Sequence, residues 1–163
     1  MQNPSFIEAI EEIVQRDPRF HRDAYFFVRE ALDYTVKMLH KNPHGPPAHR
    51  HVTGQELLEG LRRYALEQFG PMSKMVLEEW GIKQCEDFGE IVFNMVEKGI
   101  LGKTERDSRD DFKGGYDFDE AFVRPFQPQR LRHVRPSRNK PRSDRRRDNN
   151  LGTGSEKLSS GSN

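Results

Sequence analysis

Hydrophobic residues recur every three or four positions in five stretches between residues 5 and 98. This spacing places them on one face of an α-helix, with charged residues opposite. The first such face consists of Phe6, Ile7, Ile10, Ile13 and Val14. Ser5 and Thr53 each stand three residues before a glutamate, which is the sequence signature of a helix N-terminus. The pattern predicts five helices, at about residues 5–16, 22–40, 54–69, 72–80 and 86–98.

After Gly99 the hydrophobic residues no longer recur at the helical spacing of three or four positions. Residues 100–105 and 116–122 read as two strands joined by a polar loop, which predicts a C-terminal β-hairpin over 100–122. A short helix opening at Phe118 is an alternative for the second strand. The expected fold class is mainly α, a five-helix domain followed by this hairpin. Three helices and a hairpin are also the element order of a winged-helix module, so a winged-helix-like second half is one topology that the sequence allows.

A loop rich in proline and histidine separates the second and third predicted helices. Residues 41–52 read KNPHGPPAHRHV, and their three prolines and one glycine exclude a regular element. Four histidines lie at or within this loop: His40, His44, His49 and His51. Imidazole is a zinc ligand, but zinc sites take ligands from fixed elements, and no cysteine is nearby. Ordinary loop histidines are therefore the preferred interpretation, with a hydrogen bond from His51 fixing the loop to the third helix.

Acidic side chains cluster between residues 107 and 120. They are Asp107, Asp110, Asp111, Asp117, Asp119 and Glu120. Their spacing lacks the glycine and the terminal glutamate of a calcium-binding loop. A solvated acidic surface, able to dock a basic partner, is the preferred interpretation, and we expect neither a metal ion nor a cofactor.

Charge divides the chain into two parts. Residues 1–129 contain 17 lysines and arginines against 23 acids, whereas residues 130–163 contain 10 against 3. The first part also contains all 11 phenylalanines, all four tyrosines and the tryptophan, so it can bury a core. The second part has too few apolar residues to offset the entropy of ordering. We therefore expect a helical domain at 5–126 and a disordered basic tail at 127–163.

The tail is the best candidate for a functional segment. Residues 130–147 contain nine basic residues and one acid, Asp144. Such a density of positive charge binds phosphates by releasing counterions, and without aromatic residues it does so without reading sequence. RNA, a ribonucleoprotein or another polyanion is the expected partner. A solubilising role, contact with the chain's own acidic domain, or a protein partner remains open. The predicted nucleic-acid-binding residues are Arg130, Arg132, Arg135, Arg138, Lys140, Arg142, Arg145, Arg146 and Arg147.

Catalytic motifs are missing from the sequence. It has no nucleophile elbow, phosphate-binding loop, dinucleotide fingerprint or metalloprotease motif. Its single thiol, Cys85, stands beside two acids that oppose thiolate formation, so we expect it to be buried or to cap a helix. The sequence therefore predicts a non-catalytic binding or adaptor protein. The alternative is a protein-interaction or scaffolding module that docks a partner through the acidic hairpin and the fifth helix, the tail being incidental.

Two segments near the start, FIEAIEEIVQRDPRF and AYFFVREALDYTV, and the run from His51 to Phe122 carry a family resemblance. The chain resembles a family of small uncharacterised proteins found mainly in planctomycetes and verrucomicrobia. The resemblance covers about residues 5–126 and stops before the basic tail. It implies a bacterial domain with a variable tail, and it implies no activity, cofactor or site residue. Since no membrane span or signal peptide is evident, a cytoplasmic location is expected.

Overall fold

A computed structural model describes residues 4–39, 44–45 and 51–128 of this chain. In these residues it contains five α-helices: α1 (Pro4–Arg16), α2 (Arg22–Met38), α3 (Gly54–Phe69), α4 (Ser73–Glu79) and α5 (Cys85–Glu97). A 3-10 helix at Gly70–Met72 joins α3 to α4. Three short helical turns follow α5: a 3-10 helix at Arg109–Phe112, a π-helix at Asp119–Val123 and a 3-10 helix at Arg124–Phe126. The prediction of a mainly helical domain is confirmed.

The helix ends follow local signals in the sequence. Thr53 accepts from the N–H of Glu56, whose carboxylate accepts from the N–H of Thr53, so the predicted capping box before α3 is present. At the end of α4, Ile82 N–H donates to the Leu77 carbonyl at 2.9 Å and Gly81 adopts a φ of 90°. This is the Schellman ending that the sequence predicts. The same arrangement closes α5 at Gly99.

One hydrophobic core joins the helices on both sides of residues 40–50. It extends from Ile10 on α1 to Phe122 in the π-helix. Helices α2 and α3 pack at close range, because Gly60 on α3 has no side chain and so leaves room for the buried side chain of Thr35 on α2. Each large side chain buried in such a core contributes roughly 1.5–3 kcal/mol relative to leaving it exposed. The largest fully buried aromatic side chains are those of Tyr25, Phe88 and Phe122.

The predicted hairpin over residues 100–122 is not confirmed, since this part of the described chain contains helical turns and no strand. The alternation of aromatic and acidic residues at 116–119 reflects packing and a helical turn, and not a strand. Phe118 is buried, and its ring packs edge-on against Phe122 at 5.1 Å. Asp117, between the aromatic positions, accepts from the N–H groups of Asp119 and Glu120 and so begins a helical turn. The winged-helix topology, which needs wing strands, is not confirmed either, whereas the alternative of a helix opening at Phe118 is.

The helices differ from membrane spans in length and polarity. Among residues 4–39, 44–45 and 51–128, no helix combines the length and the apolar character needed to cross a bilayer.

Candidate functional site

The nine predicted nucleic-acid-binding residues, from Arg130 to Arg147, lie outside the residues that the structure describes. They follow a boundary at which the chain divides into two units, Met1–Pro128 and Gln129–Asn163. The structure therefore bears on the prediction through the first unit alone. What matters there is whether the domain has basic side chains of its own to offer to a polyanion.

Most of the domain's cations are paired with carboxylates. Within the described residues, ten lysine and arginine side chains form ion pairs: Arg19, Arg22, Arg29, Arg62, Arg63, Lys74, Lys98, Arg109, Lys113 and Arg124. Exposed pairs of this kind add little to stability, at most about 1 kcal/mol each. They do place a carboxylate beside each cation, so a phosphate approaching this surface meets negative charge as well as positive.

The acids on α5 are used inside the domain. Glu90 accepts from Arg19 and from Arg109, both at 3.3 Å. Arg109 also donates to Glu97 at 2.9 Å, which ties the C-terminal half of α5 to the 3-10 helix after it. Asp87 accepts from backbone N–H groups just before α5 and so stabilises the start of that helix. Because these carboxylates already have partners within the chain, α5 presents less uncompensated negative charge to another protein.

The acidic cluster between residues 107 and 120 is likewise part of the local structure. Asp107 and Asp111 accept from the backbone N–H groups of Thr104 and Ser108, at 2.7 and 2.9 Å. Three other acids of the cluster form ion pairs: Asp110 with Lys113, Asp119 with Lys74 and Glu120 with Arg124. In the described part of the chain, no group of three His, Cys, Asp or Glu side chains is arranged to hold a metal ion. The cluster therefore acts as a set of caps and ion-pair partners.

His51 has a partner that its sequence position does not suggest. His51 Nε2 lies 3.1 Å from Asp107 Oδ1, and both side chains are partly buried. The contact joins the residues before α3 to the loop after α5, a link that the sequence did not predict. Of the other loop histidines, His40 and His49 lie outside the described residues.

A cleft of about 690 Å³ opens beside this contact. Its sides are the C-terminal halves of α2 and α5, the start of α3 with the two residues His51 and Val52 before it, and the loop at 100–112. Of the residues that the structure describes, those forming the apolar lining are Leu32, Val36, Val52, Leu57, Val92, Phe93, Val96, Ile100, Leu101 and Phe112. The charged and polar lining residues in the described part of the chain are Arg29, Asp33, His51, Lys103, Thr104, Asp107, Ser108 and Asp111. Sequence reasoning missed this site because its residues come from four separate segments and form no local motif.

A polar network anchors the turn between α1 and α2 to α5. The Asn94 amide, only 7% exposed, donates to Asp17 at 3.0 Å and to the Tyr25 hydroxyl at 3.1 Å. Arg19 donates to both oxygens of Asp17, at 2.8 and 2.7 Å. These hydrogen bonds, that of Arg19 above all, hold the pKa of Asp17 well below its usual range. The carboxylate therefore stays ionised at neutral pH, and the network is suited to fixing the fold and not to transferring protons.

Cys85 is buried at the start of α5, as the sequence predicts. Its Sγ donates to the Tyr116 carbonyl at 3.3 Å, and the residue is 1% exposed. Burial raises the pKa of the thiol to about 11. Because the thiolate is the reactive form, burial and the raised pKa both disfavour reaction of Cys85 at neutral pH.

Comparisons with known proteins add no identity. No family model, curated protein or solved structure matches this chain. The family resemblance noted in the sequence and the expected contact with RNA therefore stay predictions.

Proposed function

We propose that this chain is a non-catalytic binding or adaptor protein of the bacterial cytoplasm whose basic arm, residues 130–147, contacts RNA or another polyanion without reading its sequence. The observation that carries the proposal is the charge of the arm, nine basic residues against one acid. Each basic residue that neutralises a phosphate releases condensed counterions, and this release drives the binding. The preferred partner is RNA or a ribonucleoprotein.

The negative charge of the domain supports a contact with RNA that is made through the arm and not through the domain. Residues 1–129 carry an excess of six acids, and the described cations are mostly paired. A domain of this charge repels phosphates at long range, so contact through the arm is the favourable route. The alternative of docking a protein through α5 and the acids at 107–120 has less support, because those carboxylates are used within the chain.

The test compares three full-length proteins in binding to single-stranded RNA, structured RNA and duplex DNA across a salt series. One is the natural chain, one has all nine basic residues of the arm replaced by glutamine, and one has its eight arginines replaced by lysine. We expect the natural and lysine proteins to bind, with log K falling linearly with log salt. For single-stranded RNA, the slope of log K against log salt should be no steeper than about −6, the value for nine phosphate contacts.

The glutamine protein should lose binding altogether. A matched control neutralises paired cations of the domain, Arg22→Gln with Arg63→Gln, and should bind as the natural chain does, because both side chains are already paired with glutamates. Equal RNA binding by the natural and glutamine proteins would refute the proposal. A loss of binding in the lysine protein would instead show that guanidinium stacking, and not charge alone, holds the RNA.

A further inference from the structure

The cleft beside His51 has the size and lining of a ligand site. Its volume of about 690 Å³ falls within the range of roughly 300–1,000 Å³ that is usual for small-molecule sites. Apolar side chains of α2 and α5, such as Leu32 and Val96, form much of its wall. Both are only partly buried, so they keep apolar surface in contact with water. A ligand with an apolar body would gain free energy by covering that surface.

The charges at the rim of the cleft favour a positive ligand. Among the described lining residues there are three carboxylates, Asp33, Asp107 and Asp111, and two cations, Arg29 and Lys103. Arg29 donates to Asp33 at 2.7 Å, so these two charges largely compensate each other. Among the described lining residues, this leaves two carboxylates, Asp111 and the His51-bonded Asp107, against the ammonium of Lys103. The acidic excess of the whole domain adds to this negative potential.

Asp111 is the carboxylate best placed to receive a cation. Its Oδ2 accepts from the Ser108 N–H at 2.9 Å, which fixes the side chain at the start of the 3-10 helix. An ionised carboxylate has about four acceptor positions, so this bond leaves capacity for further donors. Asp107, in contrast, uses one oxygen for the Thr104 N–H and the other for His51.

We propose that the cleft between α2 and α5 binds a small organic cation, an amine with an apolar body. The juxtaposition that carries the proposal is the Asp111 carboxylate at the rim of a cleft walled by Leu32, Val92 and Val96. The apolar body lies against these three side chains, and the ammonium donates to Asp111. Lys103, whose Nζ lies 5.6 Å from the centre of the Phe93 ring, opposes the cation from the same rim. This site is independent of the RNA contact proposed above.

The test uses three probes with one apolar body and different head groups: octylammonium, octanol and octanoate. Each is titrated into the full-length, isotope-labelled protein at pH 7, and amide chemical shifts are followed. Octylammonium should bind most tightly and octanoate least, and the shifts should be centred on the residues that line the cleft. Equal affinity for the three heads, tightest binding of octanoate, binding of no probe, or shifts centred elsewhere would each overturn the proposal.

Two substitutions of opposite sign separate charge recognition from simple hydrophobic binding. Asp111→Asn keeps the size of the side chain and an acceptor for the Ser108 N–H, and it should weaken octylammonium binding about threefold while leaving octanol unchanged. Lys103→Gln should strengthen octylammonium binding by a similar factor, about threefold. Glu105→Gln, in the same loop but outside the lining, is the matched control and should change neither. If Asp111→Asn and Lys103→Gln shift the affinity in the same direction, the proposal fails.

A third variant tests the place of binding independently of charge. Val96→Phe adds a ring inside the cleft and should abolish binding of octylammonium and octanol alike. Its amide spectrum, compared with that of the natural chain, shows whether the fold is kept. If a folded Val96→Phe protein binds as tightly as the natural chain, the ligand lies elsewhere and the proposal is overturned.

Discussion

Replacing Gly60 by alanine tests the packing of α2 against α3. A Cβ added at Gly60 would lie 1.7 Å from Thr35 Oγ1, 2.8 Å from Thr35 Cβ and 3.0 Å from Thr35 Cγ2. Rotating the Thr35 side chain cannot relieve all three contacts, because its Cβ does not move with the rotation. It would also break the hydrogen bond from the Thr35 hydroxyl to the Ala31 carbonyl, which is 2.7 Å long. The two helices must therefore move apart.

The expected loss in the free energy of unfolding follows from two destabilising effects and one stabilising effect. Overpacking a core costs roughly 1–3 kcal/mol, and loss of the buried hydroxyl's hydrogen bond adds about 1–3 kcal/mol. Alanine is a better helix former than glycine by about 1 kcal/mol. With the midpoint of each range, the net prediction for Gly60→Ala is a loss of about 3 kcal/mol in the free energy of unfolding, within a range of about 1–5 kcal/mol.

The assay is urea unfolding of the full-length chain, followed by circular dichroism, in a double-mutant cycle with Thr35→Ala. That substitution removes two of the three clashing atoms, so Gly60→Ala should cost at least about 1 kcal/mol less in its background. Gly102→Ala is the control, because a Cβ there meets nothing within 4 Å. If Gly60→Ala stabilises the protein, as helix propensity alone would have it, the close crossing of α2 and α3 is refuted.

Three further predictions concern other buried contacts. Asp17→Asn should cost about 1.5–3 kcal/mol at pH 7 in urea unfolding. Because the pKa of Asp17 is lower in the folded state, its contribution to stability is complete above the unfolded pKa of about 3.9 and is lost as the pH falls further. The difference in unfolding free energy between the natural chain and the variant should therefore narrow below about pH 4. A difference that stays constant down to about pH 2 would contradict this. Cys85 should react with iodoacetamide at neutral pH only at the rate of unfolding, so fast labelling of the folded chain would contradict its burial. Gly81→Ala should lower Tm by several degrees, because its Cβ would lie 2.3 Å from the Arg19 carbonyl oxygen at a φ of 90°, and an unchanged Tm would contradict that approach.

Helix positions could be predicted because their signals are local. The capping box at Thr53 and the left-handed glycines at Gly81 and Gly99 each depend on residues within one or two turns. The conformation of residues 100–122 depends on distant contacts instead. The Tyr116 hydroxyl donates to the Leu58 carbonyl at 2.9 Å, and the ring of Phe112 lies over Gly89 of α5. These contacts select helical turns over the strands that alternation alone suggested.

The cleft could not be predicted for the same physical reason. Its rim brings together Asp33, His51 and Asp111, which share no spacing or motif and are neighbours only in the folded chain. The contact between His51 and Asp107 joins residues 56 positions apart. The arm shows the opposite case, since its charge density is a property of sequence alone and requires no fold.

The two proposals depend on charges of opposite sign, and this makes them separable by experiment. In the first proposal the arm attracts anions through residues 130–147, and in the second the cleft attracts cations through Asp111. Raising the salt concentration weakens both, but only binding of RNA to the arm displaces several counterions from the RNA at once. The affinity of the arm therefore falls with a high power of the salt concentration and that of the cleft with about the first power. A salt series on the natural chain therefore distinguishes an RNA contact from an amine site.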